Sequence, residues 1–435
     1  MAMSGRRYNP YPEYKDSGVE WLGEIPVDWE VMRLKALASV QLSNVDKKTV
    51  EGQESVRLCN YTDVYYNERI TSDFEFMAAT ATGEQVRRFS LQAGDVLITK
   101  DSESWKDIAV AAVVADDMPD VLCGYHLAHI RPANGCAGEF LSRAFAAIGP
   151  RDQFHVAANG ITRFGLGGDA IRSGVFAVPP GPEQRAITAF LDRETARIDA
   201  LVVKQQRLIK LLQEKRSALI TRAVTKGLDP TVPMQNSGIE WLGEIPAHWE
   251  VKPLKRLFAN LDHKRVPLSG EERASMAKNY PYYGASGVID RVEGYIFDEP
   301  LILVAEDGAN LYSRSTPLAF VATGQYWVNN HAHILRPLDG NVDYWSHVLA
   351  SIIFDPWITG AAQPKLTGEK LGSIPLPVPP AEERTKTLEM CMLVSSELNS
   401  LTDRIFDAIT HLKDLRIALI TAAVTGKIDV REEVA

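Results

Sequence analysis

Two short stretches of the 435-residue chain resemble catalytic motifs. Asn9-Pro10-Tyr11 is the nearest match to the (D/N/S)PP(Y/F/W) motif with which N6-adenine methyltransferases bind the target amine, but the second proline is missing. Asp355 followed by Gln363-Pro364-Lys365 has the residue types of a magnesium-dependent nuclease, yet Pro356 and Pro364 break the strands that such a site requires. No G-x-x-x-x-G-K-(S/T) loop for nucleotide phosphates occurs. We therefore predict that the chain is not an enzyme.

Histidines occur as the pairs His126/His129 and His331/His333, a spacing that metal ligands also show. We expect core or groove histidines, no metal site and no cofactor bound by this chain. The four cysteines lack C-x-x-C spacing and indicate reduced thiols. The sequence also has no apolar run of transmembrane length and no secretory signal, so we expect a cytoplasmic protein.

The overall composition is typical of a globular protein, with 45% apolar and 24% charged residues. The formal net charge of −9 argues against a chain that holds nucleic acid by itself, because phosphate binding needs a basic surface. A basic cleft, or a partner that supplies cations, would remove this objection.

The elements that must position any binding residues are duplicated. Ser17–Val31 recurs 220 positions later as Ser237–Val251 with three differences, and Val178–Arg185 and Ala218–Asp229 recur in similar form 200 positions later. Each half therefore has a repeated head, a variable middle and a repeated tail. Such a frame holds two different binding modules in equivalent positions, which suits DNA with a bipartite recognition sequence.

Each tail is predicted to form one long helix. Apolar residues in 379–429 recur in steps of four and three, the a/d pattern of a coiled coil, and 179–229 shows this register with polar interruptions. Gly227 and Gly426 stand where a helix C-cap belongs. The simplest arrangement pairs the helices antiparallel; two separate amphipathic helices, each docked on its own domain, are the alternative. The predicted pairing residues are Leu191, Ile198, Leu201, Leu208, Leu212, Leu219, Val394, Leu398, Leu401, Ile405, Ala408, Leu412, Leu415 and Leu419.

The middles contain short apolar runs bounded by Gly, Pro or Asp, which favours β-strands joined by turns. We predict an α+β fold, in which two pseudo-two-fold-related mixed α/β domains are joined and spaced by two long antiparallel coiled-coil helices. The expected parts are a flexible segment 1–16, a first domain 17–178, a central helix 179–229, a second domain 230–378 and a C-terminal helix 379–429.

The chain resembles the specificity subunits (HsdS) of type I restriction–modification enzymes over almost its whole length. The resemblance rests on the two heads, the PP-x-PEQR and PPAEER helix starts, the LIT-x-AVT helix ends, YPYYGASGVID (Tyr280–Asp290), GDVLITK (Gly94–Lys100), NNHAHILRP (Asn329–Pro337) and GAAQPKLTGEKL (Gly360–Leu371). It implies two target recognition domains, each binding one half of a split DNA sequence, and helices that dock two methyltransferase subunits. Two restriction or motor subunits are also implied, with S-adenosylmethionine, ATP and magnesium bound by the partner subunits.

Polar and aromatic residues near strand ends in the two middles are the candidates for DNA contact. Asn can pair with adenine and Arg with guanine, whereas Lys, Ser and Tyr can bind phosphate. Core packing of the aromatic rings and solvated turns in the loops are the alternatives. The candidates in the first domain are Lys100, Ser102, Trp105, Lys106, Tyr125, His126, Asn159, Thr162 and Arg163. Those in the second domain are Tyr282, Tyr283, Ser286, Asn310, Tyr326, Asn329, Asn330, His331, Gln363 and Lys365.

Two other functions stay open on the sequence. One is a stand-alone enzyme acting on DNA, such as a fused nuclease or methyltransferase, against which the missing motifs argue. The other is a coiled-coil interaction scaffold that does not bind DNA.

Overall fold

The computed structural model describes residues 8–360 and 363–433. The chain divides into two compact units, of which unit 1 comprises Met1–Gln205 and Phe406–Ala435 and unit 2 comprises Gln206–Ile405. Each unit therefore contains one head, one middle and part of each long helix. The division falls inside the helices and not at their ends, where the sequence had suggested domain boundaries.

Unit 1 is built from short strands and short helices around the first part of a long helix. Its strands are β1 (Tyr14–Asp16), β2 (Glu24–Pro26), β3 (Glu30–Arg33), β4 (Ala38–Leu42), β5 (Glu54–Cys59), β6 (Arg69–Ile70), β7 (Met77–Ala81), β8 (Ser90–Leu91), β9 (Val96–Thr99), β10 (Asp101–Ser102), β11 (Ala111–Val114), β12 (Met118–Cys123), β13 (Leu127–Pro132), β14 (Phe164–Gly165) and β15 (Val175–Val178). Its helices are α1 (Leu34–Leu37), α2 (Tyr61–Tyr65), α3 (Gly83–Phe89), α4 (Gly138–Ala146), α5 (Ile148–Ala157), α6 (Gly168–Ser173) and the first part of α7 (Gly181–Lys226).

Unit 2 repeats this plan. Its strands are β16 (Met234–Asn236), β17 (Glu244–Pro246), β18 (Glu250–Pro253), β19 (Phe258–Asn260), β20 (Tyr280–Gly284), β21 (Gly287–Val292), β22 (Phe297–Asp298), β23 (Leu301–Ala305), β24 (Ala319–Ala322), β25 (Gln325–Val328), β26 (Ala332–Pro337) and β27 (Pro375–Val378). Its helices are α8 (Gly270–Ala274), α9 (Asn310–Ser313), α10 (Val342–Ala350), α11 (Gly368–Ser373) and the first part of α12 (Ala381–Val424).

The two units have equivalent sheets, except that unit 1 has one further edge strand, β6. In unit 1 the main sheets have the strand orders β4-β13-β9-β11-β6 and β7-β5-β12-β8; in unit 2 they are β19-β26-β23-β24 and β21-β20-β25-β22. Most neighbours are antiparallel, but β5 pairs with β12, and β20 with β25, in parallel. The prediction of two pseudo-equivalent mixed α/β domains is confirmed. Divergent middle sequences thus form matching backbones, because the positions of their buried strands coincide.

The repeated head of unit 1 connects two helix ends. Trp29 is fully buried and its Nε1 donates to Oε1 of Glu183, 3.1 Å away, in the first turn of α7. The ring of Trp29 also lies against Gly426, which follows α12. A side chain at position 426 would not fit, because a Cβ added to Gly426 would lie 2.3 Å from Pro26. Gly426 also has a φ of +71°, a left-handed conformation that glycine adopts without strain.

Unit 2 contains the same joint. Trp249 donates from Nε1 to Oε2 of Glu383, 2.9 Å away, in the first turn of α12. Its ring also contacts Gly227, the residue that follows α7 and has a φ of +76°. The side chain of Lys226 donates to the carbonyl of Leu242 in this head, at 3.0 Å. Each head therefore holds the start of one long helix and the end of the other.

Within each unit the long-helix segments run antiparallel. In unit 1 both Glu183 and Gly426 lie at Trp29, while Asp199, further along α7, bonds at 3.0 Å to Arg416, which precedes Gly426. In unit 2 the side chain of Arg216 donates to Asn399 at 3.3 Å. The predicted antiparallel pairing is confirmed. The start and the end of each long helix also pack on a head, which is a feature of the alternative arrangement with helices docked on the domains.

Three predicted pairing residues are wrong. Leu201, Leu208 and Leu401 are 40%, 40% and 41% exposed, whereas Ile209 and Ile409, one position after the predicted seam, are buried. An α-helix has 3.6 residues per turn, so its buried stripe drifts from a strict heptad. The remaining predicted pairing residues, which are Leu191, Ile198, Leu212, Leu219, Val394, Leu398, Ile405, Ala408, Leu412, Leu415 and Leu419, are buried or partly buried.

The predicted flexible segment 1–16 also needs correction. Residues 1–7 lie outside the described residues, but from residue 8 the segment is part of unit 1. Tyr11 is 5% exposed and donates its hydroxyl proton to Glu183 at 2.6 Å, and β1 pairs with β2. Burial, and then the carboxylate of Glu183, raise the pKa of Tyr11, so the hydroxyl stays protonated as a donor. Among the described residues no helix combines the length and the apolar character needed to cross a membrane.

The buried carboxylate of Glu183 predicts a stability effect. Substituting Glu183→Ala leaves Trp29 Nε1 and the Tyr11 hydroxyl without their acceptor, which should lower the free energy of unfolding by about 2–4 kcal/mol. Glu183→Gln keeps an acceptor oxygen and should cost less. The exposed Glu214 of the same helix is the control, since Glu214→Ala should change stability by less than about 0.5 kcal/mol. Denaturant unfolding of the full chain measures the stability of the three variants. Equal losses for Glu183→Ala and Glu214→Ala would show that the hydrogen bonds of Glu183 do not stabilise the fold.

Candidate DNA interface

Three loops of unit 1 meet where β9 ends and β13 begins. The amide of Lys100 donates to the carbonyl of His126 at 3.1 Å, and the amide of Leu166 donates to the carbonyl of Lys100 at 2.7 Å. Asn159 and Gly165 close the third loop through two backbone hydrogen bonds of 3.0 and 2.8 Å. We call residues 100–107, 124–127 and 158–166 the first loop cluster.

Unit 2 brings together the equivalent loops by the same backbone bonds. The amide of Glu306 donates to the carbonyl of His331 at 2.9 Å, and that of Leu366 donates to the carbonyl of Glu306 at 2.7 Å. Thr359 and Lys365 close the third loop at 2.8 and 2.7 Å. Residues 306–316, 329–331, 359–360 and 363–366 form the second loop cluster.

Asp101 is the centre of the first loop cluster. Its carboxylate lies 2.6 Å from Nδ1 of His126, 2.8 Å from the guanidinium of Arg163 and 3.1 Å from Nζ of Lys100. Burial opposes ionisation of Asp101, but the hydrogen bond and charge of Lys100, followed by those of His126, outweigh it and lower the pKa. Nζ of Lys100 also lies 4.5 Å from the ring centre of Tyr125. The cluster therefore has three basic groups around one buried anion.

The other predicted residues of this cluster lie on its exposed rim. Trp105 and Tyr125 are 44% and 49% exposed. Lys106, Asn159 and Thr162 are exposed too, whereas Ser102 is partly buried and accepts a hydrogen bond from Tyr61 at 3.3 Å. The structure thus brings all nine residues predicted in the first domain into one surface region.

The second loop cluster surrounds a cleft of about 480 Å³ lined by Asp307, His331, Gln363 and Lys365. Nδ1 of His331 lies 2.9 Å from both carboxylate oxygens of Asp307. Nζ of Lys365 lies 3.2 Å from Glu306, and its side chain is 52% exposed. The exposed Asn330 adjoins this cleft, and Ser286 lies in the turn between β20 and β21. Amide and cationic groups here are accessible to a polyanion.

Four residues predicted in the second domain have structural roles instead. Tyr282 and Tyr326 are 2% and 0% exposed, and their hydroxyls bond to backbone groups of Leu268 and Glu299. The side-chain oxygen of Asn329 accepts from the amide of His331 at 2.8 Å, and Asn329 is buried. We therefore withdraw these three residues from the interface.

Asn310 is the fourth. Its side-chain amide bonds to both the amide and the carbonyl of Thr316, at 3.0 and 3.1 Å, which closes the loop between α9 and β24. Tyr283 is only partly buried, but its ring stacks on Phe320 and packs edge-on against Tyr326. The sequence does not show whether an aromatic or amide residue near a strand end faces the surface or packs inward.

Asp101 and Asp307 were not among the site residues predicted from the sequence. Aligning LITKD (97–101) with LVAED (303–307) by strand end would have shown an aspartate at the same position in both domains. Also not predicted were Ile161, which is 96% exposed at the tip of the third loop of unit 1, and Tyr66, which is 75% exposed after α2. In the sequence, the consecutive tyrosines Tyr65 and Tyr66 in a polar segment could have indicated that Tyr66 is exposed.

A polar network anchors the second loop cluster from behind. His333 is 1% exposed; its Nδ1 lies 2.6 Å from Asp262 and its Nε2 lies 2.7 Å from the carbonyl of Leu366. Asp262, Glu306 and His333 are close enough to hold an ion. However, Glu306 is already paired with Arg265 and Lys365, and both ring nitrogens of His333 are bonded. The chemistry of this set fits an ion-pair network, so we assign no metal to it.

The two apparent catalytic motifs have structural explanations. Tyr11 of the Asn9-Pro10-Tyr11 stretch is buried against Trp29. Asp355, the first residue of the nuclease-like pattern, bonds at 2.5 Å to Arg314. His129 is a core residue bonded to Asp95 at 2.8 Å.

Comparisons with known proteins agree with this geometry. Residues 246–410 match the family model of the type I restriction modification DNA specificity domain. A type I restriction enzyme specificity subunit of Haemophilus influenzae is 33% identical over 159 residues, which cover 36% of this chain and 37% of that protein. The MjaX specificity subunit of Methanocaldococcus jannaschii is 22% identical over 381 residues, 83% of this chain and 86% of that protein. The chain is therefore similar in sequence to type I restriction enzyme specificity subunits.

The fold of the chain also matches that of a solved chain described as part of the type I R-M system. The TM-score is 0.65 at 14% identity, and the match covers 93% of this chain and 99% of that one. At this identity the match shows the fold alone. The match to the Haemophilus protein spans about a third of the length of that protein.

The network at His333 predicts a pH-dependent stability. Burial opposes protonation of this ring, but the hydrogen bond and charge of Asp262, together with the carbonyl of Leu366, raise its pKa above 6.5. A raised folded pKa stabilises the fold fully below the unfolded value, and this contribution is lost as pH rises through the folded value. The free energy of unfolding should therefore fall across that window.

Denaturant unfolding at a series of pH values tests this linkage. His333→Gln should be destabilised most at low pH, and its difference from the parent should shrink as pH rises. The exposed neighbour His263 provides the matched control, His263→Gln, which should follow the parent curve. A difference that grows with pH would show that the sign is wrong.

Proposed function

We propose that the chain is the non-catalytic DNA-recognition subunit of a type I restriction–modification complex, and that each unit recognises one half of a bipartite site. The observation that carries this proposal is the pair of loop clusters. Identical backbone hydrogen bonds hold loops with different side chains, such as Arg163 in unit 1 and Gln363 in unit 2. Equivalent frames with different exposed groups suit two half-sites of different sequence.

The long helices support the second part of the proposal, which is the docking of two methyltransferase subunits. Large apolar side chains remain exposed along both helices, although helix pairing could have covered them. Exposed apolar residues in such numbers are typical of surfaces that bind a partner. They are Leu201, Val203, Leu208 and Leu211 on α7, and Met392, Leu393, Leu401 and Phe406 on α12, each between 40% and 63% exposed.

Under this proposal the partners supply what the chain lacks. The methyltransferase subunits bind S-adenosylmethionine and contribute phosphate contacts that a chain of net charge −9 needs. Two restriction subunits, with ATP and magnesium, complete the complex, and a cytoplasmic location follows from that role.

Methylome sequencing tests the proposal. Cells that carry the chain and its cognate methyltransferase subunit should show N6-methyladenine in one split motif, and loss of the chain should abolish that methylation. The purified chain alone should transfer no methyl group. Methylation that persists without the chain, or turnover by the chain alone, would contradict the proposal.

Exchange of one middle should change one half-site only. Residues 262–375 contain Asp262, Glu306, His333 and Leu366, so replacing this block with that of a relative transfers the anchoring network together with the loops. The half of the methylated motif contacted by unit 2 should change and the other half should persist. The reciprocal exchange of 42–175, the equivalent block of unit 1, should have the opposite effect. A change in both halves after a single exchange would disprove the division.

A further inference from the structure

The two loop clusters share one side-chain device. Each places a histidine against an aspartate of the neighbouring loop: His126 against Asp101, at 2.6 Å, and His331 against Asp307, at 2.9 Å. Both pairs occupy the same place in the fold, because Lys100 and Glu306, each just before its aspartate, donate their amides to the carbonyl of the paired histidine. The pair is therefore retained in two middles whose sequences otherwise differ.

The geometry leaves one ring nitrogen of each histidine available. Nδ1 faces the carboxylate in both pairs, and across residues 8–360 and 363–433 no hydrogen bond involves Nε2 of His126 or His331. Their side chains are 28% and 50% exposed. In the doubly protonated ring, Nδ1–H donates to the aspartate and Nε2–H is a fixed donor directed away from it. An anionic oxygen is the natural acceptor for such a donor.

The residues around each pair do not match. Tyr125 precedes His126, whereas Asn330 precedes His331. Arg163 lies three residues before Leu166, and Gln363 lies three residues before the equivalent Leu366. The third loop nevertheless turns in the same way, since a Cβ at Gly160 or Gly360 would lie 1.9 or 2.4 Å from the carbonyl oxygen of the residue three positions later.

Shared and divergent positions should contact different parts of DNA. Half-sites of different sequence have only the sugar–phosphate backbone in common, and phosphate contacts position a protein without sequence information. Base edges differ between half-sites, and Arg, Asn and Gln are the side chains that pair with them.

We propose that His126 and His331 bind phosphate oxygens at equivalent points of the two half-sites, with Asp101 and Asp307 as their positioning residues. The divergent neighbours, Arg163 in unit 1 and Gln363 in unit 2, contact base edges. This assignment rests on the proposed function and specifies which residues of the clusters set register and which set sequence.

Quantitative DNA binding by the complex of full chain and methyltransferase subunit separates these roles. His126→Asn and His331→Asn should each weaken binding roughly tenfold for cognate DNA and for DNA with a substituted half-site alike. The slope of log affinity against log salt should fall by about one, and the methylated motif should stay the same. Gln363→Ala should do the reverse, lowering discrimination at its own half-site while the salt slope stays unchanged.

His411, an exposed residue of α12, supplies the matched control His411→Asn, which should bind as the parent does. Unchanged thermal unfolding of each variant excludes loss of folding as the cause. A changed motif in His126→Asn or His331→Asn, or an unchanged affinity and salt slope, overturns the assignment. If the parent complex itself prefers no sequence, the proposed function fails instead, whatever the variants do.

Discussion

The hydrogen bond between a head tryptophan and a helix-start glutamate is the constraint on which both units depend. In unit 1 the carboxylate of Glu183 accepts from Trp29 and Tyr11, and in unit 2 that of Glu383 accepts from Trp249. Each tryptophan also covers the glycine that ends the other long helix. The carboxylate of Glu183 is buried, and a buried carboxylate is costly unless it is hydrogen bonded, so the contact in unit 1 admits little variation. Neither half of the sequence completes its own unit, because each head takes one helix start from its own half and one helix end from the other.

The contacts between heads and helix ends explain why the heads and tails of the two halves are alike in sequence and the middles are not. The repeated segments form the two joints, in each of which one tryptophan, one glutamate and one glycine meet. The middles are constrained mainly at their strands, whose order is the same in both units apart from the additional strand β6. Their loops need only retain a few backbone hydrogen bonds, and the side chains that these loops carry are free to differ.

A polar network supports the second loop cluster. His333 links Asp262 to the base of the loop that carries Gln363 and Lys365. Because their charges are paired and hydrogen bonded, these groups hold the loops without the cost of an isolated buried ion. Recognition side chains on a rigid support lose less conformational entropy on binding.

The sequence by itself determined the duplication, the two long helices with their glycine caps and the strand-rich middles, because these depend on local periodicity and on repetition. Only the tertiary structure decided which candidates face outward. Tyr282, Tyr326 and Leu201 have residue types suited to either side of the surface, and their burial depends on which neighbours the fold brings to them. The tertiary structure also decided that each head packs against the end of the long helix from the other half of the sequence. It likewise decided that Asp101 and Asp307 each lie beside a histidine. Such contacts join residues far apart in the chain, and no local pattern encodes a distance between them.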